Sequence, residues 1–250
     1  MEPQSLYVLA AAAARLAYGI GLHRNMNEFG LSQAEIDQRE NVFWIVYFMD
    51  KSVALRLGHP SVINDDDIGI DLPQEKTFIE VRPDGSTRYG IFRCQIQLAM
   101  LESRIYSELY SARSLKRSTL DRLRSIGELD EALLEWKEAL PLEIRPEKAL
   151  GRIEAQFLPI VMMHFAYFNC ITTIHRISVH HGSWASSHLN DGRSTLHDRQ
   201  LNPRVYASQT ICLTAARQSI QILKCVSLRK DMQSYNIIMF VLTFYVACKL

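Results

Sequence analysis

Charge of either sign is almost balanced in this chain, and the residue pairs that mark metal or redox sites are missing. With 28 Lys and Arg against 27 Asp and Glu in 250 residues, the formal net charge is +1. That excludes the electrostatic footprint of a nucleic-acid-binding module. The five cysteines, Cys94, Cys170, Cys212, Cys225 and Cys248, are widely spaced and never form a C-x-x-C pair. An odd set of this kind reads as buried reduced thiols of an intracellular protein, not as a disulfide framework or a zinc cluster. The opening MEPQSLYVLAAAAARLAYG lacks a basic leader and a small-residue cleavage site, so no secretory signal is read there. No internal repeat of about 20 to 50 residues is visible.

What is present is globular, 48% hydrophobic with 22% charged, and helical in its spacing. Leu6, Leu9, Ala13, Leu16 and Ile20 make a first amphipathic helix that ends near Gly21. Ser32 and Glu35 form a capping box, with Leu31 and Ile36 as its hydrophobic staple. The helix that follows turns Ile36, Phe43, Val46, Tyr47, Met49, Val53 and Leu57 inward and stops at Gly58 and Pro60. From Ser61 to Tyr89 the chain is rich in Asp, Pro and Gly and reads as a long extended loop, with a small hairpin at most around Arg82-Pro83-Asp84-Gly85-Ser86. Helices are again expected from Ile91 to Tyr110, with Leu98, Leu101, Ile105 and Leu109 on one face. Another runs from a Ser118/Asp121 cap to Pro141, carrying Leu129, Leu133, Trp136 and Leu140. Two more cover Val205 to Leu228 and Asn236 to Leu250, after a polar surface loop from Gly182 to Pro203.

The segment Phe157 to Ile177 is apolar on all sides, as in a buried core helix or a membrane span. Its longest strictly apolar run, Ile160 to Met163, is broken by His164, and Asn169 and His175-Arg176 follow. A span needs ~20 mostly apolar residues, so a core helix is expected and no membrane partner. The fold class that follows is all-α.

Two elements within this pattern match a known family. Ala14-Arg15-Leu16-Ala17-Tyr18-Gly19-Ile20-Gly21-Leu22-His23-Arg24 comes first. Phe43-Trp44, Tyr47, Asp50-Lys51, Leu55, Leu57-Gly58-His59-Pro60, Asp65-Asp66-Asp67-Ile68 and Leu72-Pro73 follow in order. Together they resemble the fungal-specific transcription factor domain, the regulatory middle region of zinc-binuclear-cluster activators. His59 replaces the usual arginine before the proline, Asn25 stands where aspartate is common, and Glu40-Asn41 interrupt a usually basic run. Beyond Pro73 the likeness is looser, resting on Trp136, Leu140-Pro141, His175-Arg176 and Cys212-Leu213-Thr214-Ala215-Ala216-Arg217.

The resemblance implies a single all-α regulatory domain over residues 1–250, in the nucleus, without enzymatic activity. It implies no cofactor in this chain, because the family's zinc belongs to a DNA-binding module that is not within these residues. Partners would be other domains of a transcription factor, coregulators or a second copy in a homodimer, with no direct DNA binding by this chain. Few residues precede the first element, and the stripe Phe240, Val241, Leu242, Phe244, Tyr245 and Val246 runs on without a cap. The domain is therefore expected to be incomplete at both ends.

Other chemistry is weighed on the residues themselves. Gly19-Ile20-Gly21 closes a helix instead of opening one, against a dinucleotide loop. Asp65, Asp66, Asp67 and Asp71 read as a solvated turn, since Ile70 falls where the aspartate-rich box of terpene synthases needs a carboxylate. His175, His180, His181, His188 and His197 are too irregularly spaced for a structural metal site. Gly182-Ser183-Trp184 lacks a nucleophile elbow. His23-Arg24 and His175-Arg176 read as cations at helix ends. Arg113, Lys116, Arg117, Arg122 and Arg124, interspersed with Asp121 and Glu128, read as a mixed-charge helix surface before a nuclear-import or phosphate-contacting patch. Asp50 borders the buried face and should form a structural ion pair with Arg56, Lys51 or a residue of another helix.

Three functions are thus expected in order. The first is a regulatory module acting through intra- or intermolecular helix contacts. The second is a sensor of a small molecule with its pocket among Phe157, Met162, Met163, Phe165, Tyr167 and Phe168. The third is an α-helical enzyme of the terpene-synthase type or, alternatively, a stand-alone ligand-binding or interaction protein.

Overall fold

In the computed structural model of the chain, residues 3–27, 29–73, 79–81, 87–146, 156–180 and 203–227 are described. Ser32 opens the second helix: its Oγ accepts the Glu35 amide while Glu35 Oε2 accepts the Ser32 amide. This capping box fixes the start of α2, Gln33–Leu57. Gly58 ends it in the left-handed conformation, φ 69°, which a side chain would strain. Before it runs α1, Pro3–Gly19, and after the loop a two-stranded hairpin pairs β1, Ile79–Val81, with β2, Thr87–Tyr89, in register Ile79 to Tyr89.

The remaining helices are α3, Phe92–Ile105, α4, Thr119–Ala139, α5, Phe157–His180, and α6, Pro203–Ser227. A wide π-helical turn, Tyr106–Tyr110, extends α3. Ser118 Oγ accepts the Asp121 amide and starts α4, and Leu140-Pro141 ends it. Among the described residues the molecule is all-α apart from the hairpin. The expected turn 82–86, the loop from Gly182 to 202, His181, His188, His197, the helix from Asn236 and Cys248 lie outside the described residues.

Two apolar clusters hold these elements. A smaller one joins α1, α2, the loop and α3 through Ala14, Phe43, Trp44, Tyr47, Ile63 and Ile96. A larger one surrounds α5, with Leu98, Leu109, Leu129, Trp136, Phe165 and Phe168 among its members. The window of α5 that is long and apolar enough to cross a membrane is 78% buried among the protein's own helices. Its neighbours occupy the place lipid would take. Cys94 and Cys170 are free and buried, Cys212 is free and half-buried.

Two faces differ from the sequence expectation. Helix α1 docks on α2 through Ala10, Ala14 and Ala17, while Leu9, Leu16 and Ile20 are exposed. Small residues let the backbone approach the large aromatics of α2, and that complementarity outweighs leucine's greater hydrophobicity. On α2, Met49 is 39% exposed, whereas Trp44, Asp50 and Lys51 are buried. Polar groups with partners displaced a methionine from the interior.

Candidate functional site

The two family elements, apart in sequence, converge on the loop 59–73 and strap it to the helices. From α1, the Tyr7 hydroxyl donates to the Pro60 carbonyl at 3.0 Å, and the Tyr18 hydroxyl accepts the Asn64 amide at 3.1 Å. The carbonyl of His23 accepts the Gly69 amide at 2.9 Å. From α2, Trp44 Nε1 donates to Asp71 O at 3.0 Å, and the Tyr47 hydroxyl donates to Asp65 Oδ1 at 2.7 Å. From α3, Arg93 reaches Pro73 O at 2.9 Å. Leu72 and Ile68 pack against the smaller core, and Leu22 is part of it.

Asp50 and Lys51 are the centre of this strap, 1% and 3% exposed. Asp50 is not paired with Arg56. Its Oδ2 accepts the backbone amides of Val62 at 3.0 Å and Ile63 at 2.9 Å. A turn of chain with two inward amides needs an acceptor where no water reaches, and a carboxylate meets both at once. Burial pushes the Asp50 pKa up, while those amides and the charge of Lys51 pull it back. Lys51 is held on the other side of the loop. Its Nζ donates to Ile63 O at 2.6 Å and Ser61 Oγ at 2.9 Å, and pairs with Asp65 Oδ1 at 3.1 Å. Asp65 also accepts from Ser103 Oγ on α3. The aspartate run is thus a short 3₁₀ turn, Asp65–Asp67, capped by Asn64, and its first member ties three elements together.

The departures from the family pattern settle locally. His59 lies 5.1 Å from the Tyr7 ring, and Asn25 Oδ1 accepts the Asn27 amide. His23 is 8% exposed, packed edge-on to Tyr18 at 4.6 Å. Burial, then the charge of Arg24, lowers its pKa.

Below the strap is an element the sequence reading missed. Glu102 of α3 is 1% exposed. Its Oε2 accepts from Ser52 Oγ, its Oε1 has no hydrogen-bond partner, and burial pushes the carboxyl up to about 7 against Ser52 and Arg56. Arg56 answers in kind, lowered to about 10 by burial. A lone Glu in a helix otherwise read for its leucines gave no signal of this. A cleft of 230 Å³ adjoins it, lined by Lys51, Leu55, Val62, Asp65, Glu102 and Ser103 among others.

A second polar link crosses the larger core. His175 sits within α5, not at its end, with Nδ1 3.3 Å from Ser208 Oγ of α6 and Nε2 3.1 Å from Asp130 Oδ1 of α4. The three groups imitate a nucleophilic triad. Ser208 is 6% exposed inside a helix, where backbone amides are already engaged and cannot form an oxyanion hole. The link joins three helices. In the basic segment, Arg122 is buried with its guanidinium on Leu115 O, and Arg117 approaches Ser125 Oγ at 3.4 Å, so part of it serves packing.

Phe157, Met163, Phe165, Tyr167 and Phe168 are buried in the larger core, with Met162 half-buried against it. Tyr167 stacks on Trp136 at 5.8 Å. The cleft lies elsewhere, at the strap.

A profile of the fungal specific transcription factor domain matches residues 3–138, more than half the chain, and the chain belongs to that family. It is 44% identical over 228 residues to the ABC-transporter-regulating transcription factor of Aspergillus fumigatus, covering 89% of this chain and 26% of that protein. The protein of that name in Aspergillus oryzae gives the same identity and coverage. The cutinase transcription factor 1 alpha of Fusarium vanettenii is 24% identical over 88% of this chain and 23% of its own length. This chain spans about a quarter of the first two relatives, 26%. No solved structure matches it. The chain is a regulatory domain of the transcription-factor type, and the names of its family and relatives are those of regulators, not enzymes.

Proposed function

We propose that this chain is the regulatory region of a nuclear transcription factor whose targets include ABC-transporter genes. The observation that carries the reading is the 44% identity over 89% of the chain to proteins named for that role. The strap supports it from the structural side, since the family elements are spent on holding a rigid helical platform and none is placed as reacting chemistry. The platform acts through contacts with other parts of the same factor, with coregulators or with a second copy. DNA contact belongs to a zinc-cluster module outside residues 1–250.

Disruption of the gene in its native host, followed by transcript measurement, tests the target set. ABC-transporter transcripts should fall or lose inducibility; unchanged transcripts under basal and drug-stressed growth would refute it. The purified chain should show no sequence-dependent DNA binding in an anisotropy titration. Small-molecule sensing among Phe157, Met162, Met163, Phe165, Tyr167 and Phe168 belongs to this proposal as a site that opens, because these side chains pack against the larger core and a ligand would have to part them.

A further inference from the structure

Helix α4 turns Arg122, Ser125, Ile126, Leu129, Leu133 and Trp136 inward. Its opposite face carries Leu120, Gly127 and Leu134, each two turns after the last. Leu120 is 78% exposed and Leu134 45%, and the space where a Cβ of Gly127 would stand is open. The glycine is the odd member of this row. In the middle of an exposed helix it weakens the helix relative to other side chains, and no neighbour among the described residues needs the room. Room of that kind suits a crossing helix, because two backbones approach closely where no side chain stands between them.

The charges on this face say which helix. Beside the apolar row run Arg124, Glu131 and Glu138, all exposed, basic ahead of Gly127 and acidic after it. Neither the Arg124 guanidinium nor the Glu131 carboxylate has an ion-pair partner among the described residues. A copy of α4 laid antiparallel across Gly127 sets residues before the glycine against residues at a like distance after it. Leu120 then meets the partner's Leu134, and Arg124, three residues before the axis, meets the partner's Glu131, four after. The two-fold repeats both contacts. A parallel copy would set Arg124 on Arg124 and Glu131 on Glu131, so the charges select the antiparallel one.

We propose that the outer face of α4 is a homodimer surface, on which two copies of this chain pair antiparallel about a two-fold axis at Gly127, with Leu120 against Leu134 and Arg124 against Glu131. One helix from each chain makes a contact at the small end of protein interfaces, so the dimer is weak, with a Kd in about the micromolar to millimolar range. The regulatory reading gives this pairing its use, but the pairing is tested on the purified chain alone: a failure here leaves the transcript measurement untouched, and a failure there leaves the dimer standing.

Sedimentation equilibrium of the full chain at low salt, up to about 1 mM, should show monomer and dimer in exchange. Arg124→Glu alone and Glu131→Arg alone each bring like charges together twice and should weaken the dimer at least ~10-fold. An equimolar mixture of these two variants should associate as the wild type does, and the double reversal should restore the homodimer, since opposite charges face each other again in both. Gly127→Gln should block the close approach and abolish the dimer while raising the melting temperature of the monomer by about 1–2 °C. A wild-type chain that stays monomeric, self-association that survives the single reversals or Gly127→Gln, or a mixture and a double reversal that do not restore it would overturn the proposal.

Discussion

Around the loop 59–73 the elements are joined atom to atom: Tyr7 to Pro60, Asp50 to Val62 and Ile63, Trp44 to Asp71. Around α5 the joining is by bulk, with Phe165, Phe168, Ile174 and Leu129 nearly fully buried and a few cross-links such as Trp136 Nε1 to Cys94 O. The contrast explains where the family resemblance is sharp. A directional bond to a backbone amide can be made by few side chains, so the strap demands particular residues at particular places. Apolar burial is non-directional and accepts any side chain of suitable volume. Residues up to Pro73 therefore carry a readable signature, and α5 and α6 carry mainly a period.

Two substitutions should produce the largest and similar losses for opposite reasons. Asp50→Leu removes the acceptor, adds bulk to a closed site and strands two buried amides at ~1–3 kcal/mol each, ~2–6 in all. Phe165→Ala removes a fully buried ring, 0% exposed, for ~3–5 kcal/mol. Urea unfolding measures both. The comparison is sharpened by shape-matched partners: Asp50→Asn should still cost much of what Asp50→Leu does, whereas Phe165→Leu should recover much of Phe165→Ala. Recovery in both regions alike would erase the distinction.

Glu102 offers a pH test at the border of the two regions. Its folded-state carboxyl, pushed up to about 7, lies above the ~4.3 of an unfolded chain. The folded state thus holds this proton more tightly than the unfolded one. This group's burden on stability is full above pH 7, eases as the pH falls below that value, and is gone below the unfolded pKa; the gain is at most ~4 kcal/mol. Glu102→Gln should flatten that part of the profile and leave stability at neutral pH equal or higher. A profile identical to wild type would mean that Glu102 is not the buried titrating group.

Much of this was legible in the sequence where local chemistry decides structure. The Ser32/Glu35 box, the Gly58 stop and the Ser118/Asp121 cap involve neighbours in the chain, and each is where spacing put it. Burial of α5 was legible as well, because a helix apolar on every side has no solvent face. What failed needed three-dimensional partners. The docking face of α1 lies on its alanines because α2 brings aromatics to it. Asp50 could be recognised as buried and bound, but its partner is backbone 12 residues on, and a backbone amide has no letter in a sequence. Glu102 and the Asp130–His175–Ser208 link combine helices far apart in the chain and had no local mark.

The smallest expected effect is the one that tests the bulk side of the comparison most directly. Met163 is 1% exposed in the middle of α5 and belongs to the larger apolar cluster. Leucine has nearly its volume and a stiffer side chain, so Met163→Leu removes little apolar area, leaves no polar atom behind, and needs only repacking of neighbours. Volume-conserving swaps of this kind usually cost under ~1.5 kcal/mol. Thermal and urea unfolding of Met163→Leu beside Asp50→Asn, both isosteric and both in the interior, should separate by more than twofold. If Met163→Leu were as damaging as Asp50→Asn, the α5 region would depend on shape as strictly as the strap depends on hydrogen bonds, and the weaker signature beyond Pro73 would need another cause than tolerant packing.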